Sequence, residues 1–232
     1  MKQFIIPIVV IIAIYIIYRV VFSTTYVKLN SLEDGKKEVI RSSDELPGNN
    51  NSTNYCYSIW FYIRDWNYKF NEKKHILSRI NNDSNPSPSI TLGAIKNDLD
   101  IDIAYYSDTT KTDTGIHNCS IGNIPLQKWV NIIVSLNGRA VDIYLDGKLV
   151  RTCLLPGVAK VVSGTPVKIT PDGGFSGWTS NVQYRANPVN PQEAYEIYKK
   201  GYGGSILGDL FNKYRIKVAF LEDNIETSSI EL

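Results

Sequence analysis

Three aspartates, Asp98, Asp100 and Asp102, alternate along the segment DLDIDIAYY. Successive strand residues point to opposite faces, so this spacing sets all three carboxylates on one face. Clustered carboxylates suit acid–base work at a glycosidic bond, where one carboxyl stays protonated while another is ionised. Simple alternation supplies neither condition. Carboxylates two apart on a strand lie ~7 Å from each other, where repulsion in water is about 0.6 kcal/mol, while retaining sites need about 5 to 5.5 Å. A solvated face accounts for the three, and no catalytic residue is assigned.

Other chemistry-bearing residues are sparse. Cys56, Cys119 and Cys153 contain no C-x-x-C pair, which excludes a zinc ligand set and a disulfide-dense scaffold. One bridge, Cys119 to Cys153, is compatible with the pattern, and so are three unpaired small hydrophobes. His75 and His117 have no evident acid, base or metal partner, and no serine or cysteine triad can be assembled. Trp66, Tyr68 and Phe70 alternate within the polar stretch RDWNYKFNEKK. Such rings stack on sugars or fill a partner's pocket, unless the loop folds back over the edge of its own domain. N-x-S/T sequons at Asn50, Asn51, Asn82 and Asn118 matter only in a secretory lumen.

The elements that must position these residues are legible around WVNIIVSL-NG-RAVDIYL-DG-KLVRTCL. Asn137-Gly138 and Asp146-Gly147 accept positive φ and favour tight hairpin turns, giving a three-stranded meander. With two-residue loops, Leu136 is expected opposite Arg139, Val134 opposite Val141, Ile132 opposite Ile143 and Val130 opposite Leu145. The second turn then sets Val150 opposite Ile143 and Thr152 opposite Val141. One face is apolar, while Asn131, Ser135, Asp142, Tyr144, Arg151 and Cys153 point away from it, and Cys119 leads into the same sheet. A sheet with one apolar face needs a second layer, which predicts an antiparallel β-sandwich.

Residues 55–64 and 99–107 alternate as half-buried strands, the first with Tyr55, Tyr57, Ile59, Phe61 and Ile63 on one face. Shorter strands are expected over 76–80, 89–95, 167–170 and 177–185. Residues 26–29 and 37–41 flank Asp34-Gly35 as a possible hairpin, and 42–54 reads as loop. Asn190, Pro191 and Glu193 start a helix with Ala194, Ile197 and Tyr198 inward, ended by Gly201. A second short helix over 205–214 and a closing hairpin through Asp223-Asn224 complete the chain. The resulting organisation is an anchor over 1–22, a hairpin and loop over 23–54, the sandwich over 55–202, and a helix with closing hairpin over 203–232.

The run bounded by Phe4 and Phe22 holds nineteen residues, FIIPIVVIIAIYIIYRVVF. At ~1.5 Å per residue it reaches ~28 Å, enough to span a lipid bilayer as a single N-terminal pass. It is longer than the apolar region of a secretory signal, and Ser23 and Thr24 make a weak cleavage site. Lys2 precedes the run and Arg19, Lys28, Lys36 and Lys37 lie at or after its end, which favours mildly a cytoplasmic domain. The remaining chain is of a size for one sandwich and, with 43% apolar residues overall, has material for a core. Net charge is +2, and the 25 basic residues form no long run, which argues against nucleic acid as a partner.

The order YSIWFYI, ITLGAI, LQKWVNIIVSLNGRAVDIYLDGKLV, GGFSGWTSNVQYR and NPQEAYEIYKKG resembles the laminin G-like branch of the concanavalin A-like lectin and glucanase superfamily. The likeness spans residues 55–202. It implies an all-β, two-sheet jelly-roll sandwich in which Trp129, the Y-x-D-G turn at 144–147 and the helix from Pro191 fill characteristic places. Laminarinase-type relatives use glutamates as nucleophile and acid, whereas Asp98, Asp100 and Asp102 are all aspartate. Many laminin G-like domains hold calcium at a loop rim, which singles out Asp172 in TPDGG and Asp83 in NNDSN; no other cofactor is implied. An N-terminal anchor, this domain and the tail GYGGSILGDLFNKYRIKVAFLEDN together are similar to virion membrane proteins of large eukaryotic DNA viruses. The resemblance implies a non-enzymatic protein in a virion or viral membrane, with neighbouring virion or membrane proteins as partners. The alternative is a lectin-like surface protein that binds glycan, and a glycoside hydrolase is a more distant one.

Overall fold

The computed structural model describes residues 26–47 and 53–203, together with the backbone of 217–222 and 225–231. In chain order the strands are β1 (Val27–Asn30), β2 (Glu33–Asp34), β3 (Val39–Arg41), β4 (Tyr55–Asp65), β5 (Lys74–Ile80), β6 (Pro86–Leu92), β7 (Leu99–Tyr106) and β8 (Thr114–Ile121). They continue as β9 (Trp129–Asn137), β10 (Ala140–Leu145), β11 (Lys148–Leu154), β12 (Val158–Ala159), β13 (Val167–Ile169) and β14 (Ser176–Arg185). Helix α1 (Pro191–Lys199) follows, then a separate hairpin of β15 (Lys217–Glu222) and β16 (Ile225–Glu231). Among the described residues no helix is long and apolar enough to cross a membrane. The anchor run bounded by Phe4 and Phe22, and the short helix expected over 205–214, lie outside those residues.

Two antiparallel sheets face each other. The first runs β1-β14-β4-β9-β10-β11 with β2 also on β14; the second runs β12-β7-β6-β5-β13-β3 with β8 also on β7. Period-two alternation fills the space between them: Tyr57, Ile59, Phe61, Ile132, Val134, Val141 and Ile143 from the first sheet meet Leu77, Ile90, Ile101 and Ile169 from the second, all fully buried. β1 and β3 do not pair as a hairpin. β1 joins β14 in the first sheet and β3 joins β13 in the second, so the chain crosses between layers and the sandwich begins at Val27 rather than at residue 55. Between them and β4, Ser42 caps a short 3-10 turn, Ser43–Glu45, inside the stretch expected to be loop.

The meander departs from the expected register at its first turn and at a bulge beyond its second. Leu136 pairs with Val141, Val134 with Ile143 and Ile132 with Leu145, because Asn137 pairs with Ala140 and the loop is Gly138-Arg139. The slip shifts every pair by two residues, so the same side chains face inward. The Asp146-Gly147 turn pairs Leu145 with Lys148, but the register then shifts between Ile143 and Tyr144, leaving Val150 as a bulge. Beyond it the faces invert: Cys153 lies opposite Val141 in the core, and Thr152 points outward, donating its hydroxyl to Asp142 Oδ1 at 2.6 Å. Cys119 sits on β8, in the second sheet, opposite Ile101. A disulfide joins Cys119 to Cys153 with Cα atoms 6.2 Å apart, so it ties β8 to β11 across the two layers.

α1 lies on the outer face of the first sheet. Asn190 Oδ1 accepts from the Glu193 amide and Glu193 Oε2 from the Asn190 amide, both at 2.9 Å, a reciprocal cap that fixes where the helix starts. Ala194 and Ile197 are buried against Cys56, Ile133 and Tyr144. Ser135 Oγ accepts from the Val189 amide at 3.0 Å, and the Tyr144 hydroxyl donates to the Val189 carbonyl at 3.4 Å, which holds the approach to the helix on the sheet. Gly147 is required twice over: its φ is 74°, and a Cβ there would stand 2.9 Å from Tyr198 Cβ.

Candidate functional site

Among the described residues the largest grouping of aromatic side chains lies on that outer face, beside and partly beneath α1. Even-numbered residues of β4 point outward, and neighbouring strands continue the row: Tyr62 pairs with Trp129 of β9 on one side and Trp178 of β14 on the other. The Tyr62 ring centroid is 5.8 Å from that of Trp129 and 5.4 Å from that of Trp178. Arg64, exposed at the end of β4, carries its guanidinium 5.5 Å over the Trp178 ring. One row nearer the helix, Trp60 is stacked on Tyr198 at 5.5 Å. Tyr202 lies nearly parallel to Trp129, 4.6 Å away and at 6°. Ser180 Oγ donates to the Tyr202 carbonyl at 2.7 Å and Asn181 Nδ2 to the Gly201 carbonyl at 3.1 Å, fixing the chain after α1 over the sheet.

Trp60 is buried in this strip, while half-buried Tyr62, Trp129, Trp178, Tyr198 and Tyr202 offer ring faces and edges beside the Arg64 guanidinium, with no carboxylate among them. Such a surface stacks on planar or apolar groups and accepts a partner's side chains at low conformational cost. Alternation did carry half the signal: with Tyr57, Ile59 and Phe61 inward, Trp60 and Tyr62 must point outward. The other half is the strand order β9-β4-β14, which brings together residues far apart in the chain.

The rim loop from Trp66 to Lys73 folds back on the sandwich. Trp66 packs against the core, donates Nε1–H to the Ile95 carbonyl at 2.9 Å and lies under the Lys74 ammonium, 4.4 Å from its ring centroid. Desolvation lowers the Lys74 pKa, with Glu72 opposing. Tyr68 donates its hydroxyl to the Gly173 carbonyl at 3.0 Å. Of the three alternating rings only Phe70, 48% accessible, stands free for contact.

Asp172 and Asp83 occupy separate turns. The Asp172 carbonyl accepts from the Lys69 ammonium, and its carboxylate lies 3.9 Å from His75 Nε2. Asp83 Oδ2 accepts from Asn81 Nδ2 at 3.2 Å. Among the described residues no three His, Cys, Asp or Glu side chains come together as a metal site. A hard cation takes six or more oxygens, and a turn whose carbonyl already faces an ammonium does not fit it. His75, Ser78, Lys168, Pro171 and Asp172 line a pocket on the outer face of the second sheet, where burial lowers the His75 pKa, against the pull of Asp172 and with help from Lys69 and Lys73.

Asp100 and Asp102 share that outer face, while Asp98 precedes β7 and its carbonyl accepts from the Gly93 amide at 2.8 Å. Asp100 is 3.3 Å from the Lys73 ammonium, and Asp102 Oδ1 accepts from Asn118 Nδ2 at 2.7 Å. The strand neighbours of Asp100 and Asp102 are Ser89, Thr91, Asn118 and Ser120. Cys56, whose thiol burial pushes up to about 12, is inert beneath α1.

Residues 33–183 match the family described as the concanavalin A-like lectin/glucanases superfamily. Among solved structures, the chain is similar to the binding domain of botulinum neurotoxin serotype D, with 13% identity and a TM-score of 0.52 over 75% of this chain and 50% of that one. A point mutant of HCR/D is similar at 13% identity and a TM-score of 0.51, over 75% of this chain and 51% of that one. The chain thus spans about half the length of each, and likeness at this identity shows the fold. No curated protein matches the sequence.

Proposed function

The chain belongs to the concanavalin A-like lectin/glucanases superfamily, and from that premise we propose that it is a membrane-anchored, non-enzymatic module that holds a protein partner. The observation that carries this reading is the strip of Tyr62, Trp129 and Trp178 with Arg64 beside it, a composition typical of the centres of protein interfaces. The apolar run bounded by Phe4 and Phe22 supplies the anchor, so the module links a bilayer to a neighbouring protein. Its likeness in overall plan to virion membrane proteins of large DNA viruses makes a membrane-containing virion the proposed setting. Absence of catalysis is supported by the separate polar contacts of Asp100 and Asp102. A second reading, glycan binding, is favoured by the same rings, since sugars stack on tryptophan faces.

Alkaline carbonate extraction of membranes holding the full chain, followed by a glycan array with and without calcium, tests the proposal. Retention in the membrane fraction and no selective glycan signal are expected. Full release into the supernatant contradicts the anchor, and a glycan held by the native protein but lost in Trp178→Ala replaces the protein partner with a sugar.

A further inference from the structure

The disulfide and one exposed turn bear on where this domain folds. Cys119 on β8 and Cys153 on β11 are both buried, and each of these strands is an edge of its sheet, paired on one side only. Beside the bridge, the Arg151 guanidinium of β11 donates to the carbonyl of Ser120, the residue after Cys119. The bridge therefore closes one edge of the sandwich. A structural disulfide of this kind forms and persists in an oxidising compartment, whereas the cytosol keeps a dithiol reduced.

In such a compartment the N-x-S/T sequons become substrates. Asn50 and Asn51 lie outside the described residues. Asn118 is set in β8 opposite Asp102 and donates Nδ2 to its carboxylate at 2.7 Å, and the middle residue of its sequon is the bridged Cys119. Asn82 differs. It stands with Asp83 at the corner of the turn between β5 and β6, which the Ser84 amide closes by donating to the Asn81 carbonyl at 3.0 Å. Asn81 Nδ2 bonds to Asp83 Oδ2 and the Asn85 amide to Asn81 Oδ1, so the turn is braced without the Asn82 side chain. Asn82 and Ser84 are both exposed. Because β4 runs out to Asp65 and β5 returns from Lys74, this turn lies at the far end of β5 from Arg64, and a glycan on it leaves the aromatic strip uncovered.

We propose that the sandwich folds in an oxidising lumen and that Asn82 carries an N-linked glycan there. The inference rests on the reading of the run bounded by Phe4 and Phe22 as a membrane segment; the charge flanking it does not set the side for so long a domain. Cys119 and Cys153 pass two electrons and two protons to a disulfide oxidoreductase of that lumen. Asn82 Nδ2 bonds to the anomeric carbon of a lipid-diphosphate-linked oligosaccharide while the bond from that carbon to the diphosphate breaks, releasing the lipid diphosphate and the amide proton. The test is translation of the full chain, with Asn50→Gln and Asn51→Gln to remove the first two sequons, in the presence of endoplasmic reticulum microsomes. A mobility shift reversed by peptide N-glycosidase, kept in Asn118→Gln and lost in both Asn82→Gln and Ser84→Ala, is expected. Maleimide should label one thiol of the denatured chain before reduction, Cys56, and three after it. No shift, a shift unchanged in Asn82→Gln, or three thiols labelled before reduction overturns this inference, and if that chain resists carbonate extraction the anchor stands. A glycosylated chain that carbonate releases overturns the anchor alone, and an unglycosylated chain that it releases overturns both.

Discussion

On the outer face of the first sheet, one row across three strands reads Trp178, Tyr62 and Trp129; on the second sheet the corresponding rows read Ser89 with Asp102, and Thr91 with Asp100. Both sheets send the same kind of aliphatic residue into the shared interior, so the core does not distinguish them. What differs is the outward register of each strand. Rings on the first sheet are too large to be satisfied by water and are covered at one end by α1, Tyr198 and Tyr202. On the second sheet Asp100 meets the Lys73 ammonium and Asp102 the Asn118 amide, with buried Ser89 and Thr91 beside them. In a fold that supports many functions, the outward positions rather than the core therefore indicate what this chain binds.

The tie between the layers is the first place to break the comparison. Cys119 and Cys153 are 34 residues apart, and removing a bridge of that loop length costs about 4 kcal/mol on the chain-entropy model. Cys119→Ser with Cys153→Ser should lower the urea midpoint accordingly while the aromatic strip keeps its partner; unchanged stability would show the bridge to be absent. Next in size, Glu193→Ala removes the carboxylate half of the reciprocal helix cap and the acid partner of Arg185, and should cost about 1 to 3 kcal/mol. Loosening of α1, read as faster amide exchange at Ala194 and Ile197, should accompany it.

Smaller effects are expected on the second sheet. His75 has its pKa lowered from 6.5 mainly by burial, so the folded state binds fewer protons than the unfolded one. Its contribution is fully present above the unfolded value and is lost as pH falls below it toward the folded pKa. His75→Gln should thus flatten the decline in stability below about pH 6.5; an equally steep decline would assign it to other groups. Smallest of all, Asp98→Asn, Asp100→Asn and Asp102→Asn together should leave fold and partner binding intact. Glucan cleavage lost in that triple variant would make the second face the functional one.

Much of the framework was legible because tight turns and alternation are local properties. The apolar face of the meander survives even though the Asn137 turn slips, since a slip of two residues preserves parity. Cys153 was not legible: the bulge at Val150 inverts the strand beyond it, and whether an extra residue is accommodated depends on the partner strand. The pairing of β1 and β3 with different sheets was equally hidden, because short polar strands carry no pattern that names a distant neighbour. For the site, the alternating rings Trp66, Tyr68 and Phe70 caught attention by adjacency, yet two of them hold the rim together. Trp60, Tyr62, Trp129 and Trp178 meet only after the strand order is known.

The claim that the first sheet's outer face holds the partner is tested most directly by site-specific photo-crosslinking in native membranes. A benzophenone amino acid is placed at Trp178 on one face or at Asp102 on the other, in otherwise intact protein. A discrete protein adduct from position 178, absent from position 102 and abolished by Arg64→Ala with Tyr62→Ala, is the predicted result. An adduct from position 102 alone, or none from position 178, would contradict it.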